Sequence, residues 1–331
     1  IEMSLSHGRF LFFSLVLLSI SSSSLAVICD SCEGEDCLAD CEGDYCIQTT
    51  FNPKWGQRSL IDSKKRVKGC LKNDMIVKGL KPRCDQYSKS GKTEFCICNT
   101  KKCTSGQKLD KLKTEKIEKI TCECVGAHCK DRNTCEGDVC TYVVDYRIPK
   151  KKTITKGCMD LSIPVFERRM IGSCMVPPLT GAMHHENITN VNDLFKIESC
   201  ICATEKCNKK KPVTTSEREL KKIETEKCDF EVIGVTGGKT MRTLKKKCTG
   251  EFCYRLNFNS TKGKMEHYDV KGCVTFNNEG AIDPIFSSGN CAEFTGGELD
   301  MKMCLKSEND EAMERLEAVV KNNEDESVEA T

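Results

Sequence analysis

The chain has 331 residues, 26 of them cysteine, with 6% aromatics and a formal net charge of +2. A charge this close to zero provides no field that would draw in a nucleic acid or an acidic substrate. What the composition leaves to explain is the cysteine, which a metal, a redox pair or a set of structural disulfides could each require.

At the N-terminus, His7 and Arg9 precede the apolar run FLFFSLVLLSI (10–20), and SSSSLA (21–26) follows it. Small residues at Ser24 and Ala26 suit the positions before a signal-peptidase cut. Residues 1–26 are therefore expected to be a signal peptide, with a mature start near Val27. The run is too short to cross a bilayer, and no later stretch approaches the ~20 apolar residues a membrane span needs. The expected product is a soluble, secreted, extracellular protein, made where disulfides form and persist.

The segment CEGDYC (41–46) returns as CEGDVC (135–140) and as CTGEFC (248–253). Two further markers recur with it. KGC ends at Cys70, Cys158 and Cys273, and the close C-x-C-x4-C occurs as CICNTKKC (96–103) and CICATEKC (200–207). Independent markers in the same order establish tandem duplication. The expected divisions are a cysteine-rich repeat 1 over 27–104, repeat 2 over 122–208 and repeat 3 over 228–307. Linkers are expected at 105–121 and 209–227, and an acidic tail at 308–331. Both linkers are rich in Lys and Glu without a buried stripe, and read as charged spacers of partly helical character. In the tail Met313, Leu316 and Val320 fall at helical spacing, so a short amphipathic helix and a solvated tail both fit. No apolar stretch there suggests a lipid anchor.

Repeats of this size have small apolar cores and commonly need disulfides, worth ~2–4 kcal/mol each. Between the cysteines the pattern is that of strands. YCIQTTF (45–51), CTYVVDYRI (140–148) and CYRLNFN (253–259) are rich in β-branched and aromatic residues. In repeat 3, DFEVIGV and KTMRTL flank TGG (236–238), which predicts a hairpin. The glycine of KGC, at Gly69, Gly157 and Gly272, suits a bulge or a close backbone approach beside a packed disulfide.

Ten cysteines in this order, closing with C-x4-C and then Asn208, resemble the three-finger domains of snake toxins, lymphocyte antigens and the urokinase receptor. The tandem arrangement also resembles the nematode ET module, a family of secreted cysteine-rich repeats. The resemblance covers nearly all of 28–307 and implies a small disulfide-rich all-β fold, with three tandem three-finger-like domains joined by charged linkers. Ten cysteines permit many connectivities. The family's pairing, carried over by position, implies Cys29–Cys46, Cys32–Cys37, Cys41–Cys70, Cys84–Cys96 and Cys98–Cys103 in repeat 1. In repeat 2 it implies Cys122–Cys140, Cys124–Cys129, Cys135–Cys158, Cys174–Cys200 and Cys202–Cys207. Repeat 3 has six cysteines, and its missing positions are two whole pairs of that scheme. Cys228–Cys253, Cys248–Cys273 and Cys291–Cys304 remain. The sequence departs from the family in its short first finger, with eight residues between Cys32 and Cys41, which leaves little room for a full first hairpin.

Other chemistries fit less well. Zinc modules offer paired C-x2-C knuckles in a reducing compartment, and the mixed spacings here compose no set of four. CDSC (29–32) lacks the βαβ context of a thioredoxin-like redox site. His128, His184, His185 and His267 sit in no recognisable catalytic motif, and no cysteine is left over as a nucleophile. The expectation is a protein that is not an enzyme and carries no metal or other cofactor. NIT (187–189) and NST (259–261) make Asn187 and Asn259 candidate glycan sites. The resemblance implies binding to an extracellular protein or receptor through finger tips. Candidate contacts are Lys54, Trp55 and Arg58 beside Pro53 in repeat 1, and Lys150, Lys151 and Lys152 after Pro149 in repeat 2. Trp55 equally fits burial against its own sheet. A structural component of extracellular matrix or cuticle is the alternative function.

Overall fold

The computed structural model describes residues 26–34, 37–51, 65–73, 81–160, 166, 169–178, 190–212, 225–261, 265–276, 291–308, 310 and 312–314. The fold is disulfide-rich and nearly all β. No helix among the described residues is long and apolar enough to cross a membrane. Residues 1–25 of the expected signal peptide, Trp55, Lys54, Arg58, Asn187, His184 and His185 lie outside the described residues.

Each repeat is a set of antiparallel hairpins. Repeat 1 holds β1 (Val27–Glu33), β2 (Ala39–Gly43), β3 (Tyr45–Phe51), β4 (Lys65–Asn73), β5 (Arg83–Tyr87) and β6 (Thr93–Cys98). Strand β1 pairs with β2, and β6 lies between β3 and β5 with β4 on the far side of β3. After a short helix, α1 (Gly106–Leu109), comes β7 (Lys113–Ile117). Repeat 2 holds β8 (Ile120–Glu123), β9 (Thr134–Gly137), β10 (Val139–Asp145), β11 (Thr153–Met159), β12 (Ser173–Val176) and β13 (Ile197–Cys202), paired in the same way. Repeat 3 holds β14 (Glu226–Thr236), β15 (Lys239–Arg242), β16 (Lys246–Gly250), β17 (Phe252–Ser260), β18 (Met265–Phe276), β19 (Cys291–Gly296) and β20 (Leu299–Lys306). Its first hairpin turns at Gly237 and Gly238, both at positive φ, where glycine has no steric penalty. Strands β17 and β20 bury alternate residues, the period expected of a sheet with one face on the core.

The first hairpin forms in repeats 1 and 2 despite the short loop. Strand β1 aligns with β2 over five residue pairs, and β8 with β9 over four. The expected shortage of room is corrected by the disulfide Cys32–Cys37, which closes the hairpin end locally rather than by a long turn.

Four cysteines staple the first hairpin to the second, identically in all three repeats. In repeat 1, Cys29 lies opposite Cys41 and Cys46 lies opposite Cys70 in the strand registers. Yet the bonds run Cys29–Cys46 and Cys41–Cys70, so each crosses from one hairpin to the other. Cys122, Cys135, Cys140 and Cys158 repeat this arrangement, as do Cys228, Cys248, Cys253 and Cys273. The glycine of the C-x-G-x-x-C segment follows from it. A Cβ on Gly43, Gly137 or Gly250 would stand 2.8–2.9 Å from the Cβ of Cys70, Cys158 or Cys273, closer than carbon atoms pack. Only glycine lets the hairpins close onto the bond.

The repeats are not beads on charged spacers. Eighteen strands join one hydrogen-bonded network, and a single core of buried residues runs through all three repeats. The C-terminal half of β4 pairs with β19 of repeat 3, with Leu71 opposite Phe294. The C-terminal half of β18 pairs with β12 of repeat 2, with Val274 opposite Met175. Repeat 3 thus sits between repeats 1 and 2, out of chain order. In both junctions the strand carrying KGC receives the neighbour's strand that holds Cys291 or Cys174. The glycine of KGC is the close approach: a Cβ on Gly69 would collide with the carbonyl of Thr295, and one on Gly272 with the carbonyl of Val176.

The first linker is also corrected. Its β7 adds in parallel to the outer edge of β5, because that edge offers unpaired backbone groups and KTEKI can extend along them. Strands β8 and β14 begin at Ile120 and Glu226, slightly inside the expected linkers; residues 213–224 lie outside the described set. At the start of the tail, Ala312 is fully buried and Met313 packs against the core, both in helical conformation.

Candidate binding surface

All 26 cysteines are bonded, in the thirteen pairs given above. Three clusters among the described residues bring potential metal ligands together: Cys124, His128 and Cys129; Cys174, Glu198 and Cys200; Glu226, Cys228 and Cys253. In each, the two cysteines are bonded to one another, so neither supplies the thiolate a metal would need. His128 instead places Nε2 3.0 Å from the Lys156 carbonyl oxygen.

The described surface that stands out is the turn at the end of the β10–β11 hairpin, residues 146–152. The hairpin beneath it is rigid. Cysteines Cys174 and Cys200, Tyr142 and Val144 form a buried cluster under it, with Ile154 packed alongside. Asp145, at the last residue of β10, accepts from the Arg147 backbone N–H at 2.8 Å and from its Nε at 2.9 Å. Burial pushes the Asp145 carboxyl up, but the hydrogen bonds from Arg147 outweigh it and hold the group below the usual carboxylate range. The Tyr146 N–H donates to the carbonyl of Lys196, the residue just before β13, which ties the turn to the start of that strand.

The turn itself runs from Ile148 to Lys151, closed by the Lys151 N–H donating to the Ile148 carbonyl at 3.1 Å. Pro149 takes the second position and Lys150 the third, with φ at +63°. That is the arrangement of a type II turn, whose third position favours glycine. A lysine there costs on the order of 1 kcal/mol in backbone conformation. The conformation recurs in this chain at Lys102, Lys130, Asp131 and Lys206.

What sets this turn apart is the group of side chains it brings together. Several lysines elsewhere are ion-paired, as with Lys89 to Glu136, Lys102 to Asp40, Lys196 to Asp193, Lys211 to Glu198 and Lys247 to Asp229. Lys150, Lys151 and Lys152 are exposed and make no ion pair with any described residue. Beside them Tyr146 is 48% and Ile148 56% exposed. Three free ammonium groups next to an exposed ring and an aliphatic side chain can meet carboxylates and apolar surface together. Sequence reading singled out the lysines and missed Tyr146 and Ile148. Their signal was two apolar residues continuing the strand pattern past Asp145, beyond the last partner able to cover them.

Asn259 is exposed on β17, and its amide donates to Asn257 Oδ1 at 2.9 Å while its Oδ1 lies 2.7 Å from His267 Nδ1. The Thr261 hydroxyl of the same sequon donates to Glu298 at 2.7 Å. No protein-family model matches the chain, and no curated protein matches it either.

Proposed function

We propose that the chain is a secreted, non-enzymatic binding protein of three-finger-like repeats that engages another extracellular protein or receptor. The disulfide content is compatible with an extracellular protein. The observation that carries the binding reading is the turn at 146–152, where a strained lysine, two free lysines and two exposed apolar side chains share one rigid hairpin end. Loops held by a rigid frame are where recognition concentrates. The test uses the secreted chain immobilised and exposed to cell-surface and extracellular fractions. Two variants accompany it, one with Lys150→Glu, Lys151→Glu and Lys152→Glu, the other with Tyr146→Ala and Ile148→Ala. Saturable retention of the same protein by the unaltered chain, lost in both variants, is expected. Equal retention by all three would remove the turn from the function. Recovery of the chain in an insoluble, self-associated fraction would favour a matrix or cuticle role instead.

A further inference from the structure

The 146–152 turn does not stand alone. The Tyr146 N–H donates to the carbonyl of Lys196, the last residue of a 3-10 turn, Val191–Lys196. Asn192, near the other end of that turn, accepts on its side chain from the Leu244 N–H of repeat 3 at 2.7 Å. Between them, Lys246 holds its Nζ 4.5 Å from the centre of the Phe195 ring. At ~2.0 Å per residue of such a turn, the two attachment points stand roughly 8 Å apart. The surface that begins at Tyr146 in repeat 2 therefore continues into repeat 3, where Leu244 is 67% exposed with the exposed Lys245 beside it. The β12–β18 pairing fixes the two repeats to each other beneath it. Segments 145–152, 190–196 and 243–246 hold seven lysines and arginines against two aspartates, Asp145 and Asp193. Both aspartates are already engaged, by Arg147 and Lys196.

The acidic tail starts close to this surface. Residues 315–331 lie outside the described residues, but those just before them are placed. Ala312 is buried, Met313 packs on the core, and the Glu308 N–H donates to Glu226 Oε2 at 3.3 Å. Glu226 opens β14, four residues before Phe230, which lies opposite Lys246 in the strand register. At ~3.3 Å per residue, the root of the tail is roughly 13 Å from Lys246. The stretch from Glu314 to Glu324 can span up to roughly 33 Å when extended, enough to reach either end of the surface. Its composition is the complement of that surface. Leu316, Val319 and Val320 precede four carboxylates between Glu324 and Glu329.

We propose that residues 315–331 dock on this surface of their own chain, with the tail's apolar residues against Tyr146, Ile148 and Leu244 and its carboxylates among the lysines. The docked tail regulates the turn read above as a binding surface, and the inference rests on that reading for what the tail withholds. A segment tethered this close competes at an effective concentration in the millimolar range, so a free acidic partner gains the turn only by displacing it. The charged half of the contact weakens as salt rises, whereas the apolar half does not.

The experiment treats the full chain with a zero-length carbodiimide reagent, which joins lysine amines to carboxylates in direct contact. Copies of two isotopic masses are mixed, so that links within one chain are told from links between chains. At low ionic strength, peptide mapping should find Glu324, Asp325 or Glu326 joined to the lysines of 150–152 or 245–246 in the same copy. The links should fade at ~1 M salt, where the Debye length is about 3 Å. Two variants keep every charge: Leu316→Ser, Val319→Ser and Val320→Ser in the tail, and Tyr146→Ser with Leu244→Ser on the surface. Both should lose the links, and a glutamate-specific protease should cut after Glu324 and Glu326 severalfold faster in each than in the unaltered chain. Native disulfides in the mapped peptides show that each variant has folded. The docking is overturned by an absence of tail links at low salt, by links spread over distant lysines such as Lys89 and Lys108, or by links only between copies. Cross-linking needs no partner, so its result is separate from the retention test. Links without retention would uphold the docking and remove the binding reading, and retention without links would do the reverse.

Discussion

Repeat 3 meets its neighbours through shared sheet, whereas the contacts between repeats 1 and 2 run through side chains. At the first kind of junction, four consecutive residues of β18 face four of β12, and four of β4 face four of β19. Aromatics reinforce it: half-buried Phe195 of repeat 2 meets buried Phe230 of repeat 3 edge-on at 5.2 Å, and the Tyr254 hydroxyl donates to the Pro177 carbonyl at 2.7 Å. At the second kind, Lys89 reaches Glu136 at 3.2 Å across a crevice lined also by Tyr87, Ile117 and Lys119, with both side chains exposed. Backbone pairing fixes register and excludes water, while exposed ion pairs are screened and contribute little. The difference teaches that the order of repeats in the chain need not be their order in the sheet, and that cohesion follows the sheet.

The sharpest way to break the strong junction is Gly272→Val. The added carbons have nowhere to go but into the Val176 carbonyl and Pro177, so the strands must part. A loss of about 3 kcal/mol is expected in denaturant unfolding of the disulfide-intact protein, the upper end for overpacking. An unchanged midpoint would mean the close approach is not there. Tyr254→Phe should cost less, about 1–3 kcal/mol, because the buried Pro177 carbonyl loses its donor while the ring stays packed. Burial holds the Tyr254 phenol well above its ordinary range, so its near-ultraviolet titration should be absent until the junction itself opens.

The weak junction should respond differently. Lys89→Ala or Lys119→Ala is expected to change global stability by less than about 1 kcal/mol. Raising salt should speed amide exchange over 87–92 and 117–119 while leaving β12 and β18 protected; uniform protection at all salt concentrations would erase the contrast between junctions. The smallest effect is the control. Gly234→Ala adds a methyl that meets nothing closer than 3.7 Å, so its unfolding midpoint should move by no more than about 0.5 kcal/mol.

The all-β, disulfide-rich character was legible because it is local. β-branched runs between recurring cysteines announce strands, and TGG announces the turn at Gly237 and Gly238. The junctions were not legible because backbone pairing between repeats leaves no periodic side-chain trace. Gly69 and Gly272 were visible as requirements for close approach, but the approaching group belongs to another repeat, Thr295 for Gly69 and Val176 for Gly272. In the same way KTEKI carries Lys and Glu enough to suggest a spacer. What makes it a strand is the vacant edge of β5, which no reading of residues 113–117 alone reveals. At the 146–152 turn the three lysines were legible from charge, whereas the positive φ of Lys150 was not, since Pro-Lys-Lys fits several turn types.

The position of repeat 3 has a consequence for synthesis. The chain emerges from its N-terminus, so repeats 1 and 2 are complete before the segment that joins them exists. Until residues 265–296 are made, the outer half of β4 and the edge of β12 stand with open hydrogen-bonding groups, and the apolar side chains of both repeats have no counterpart to cover them. A ribosome-bound chain stalled before Met265 would therefore present two sticky edges at once, to chaperones or to each other. Release from quality control would report the arrival of the last repeat rather than the closure of the first two.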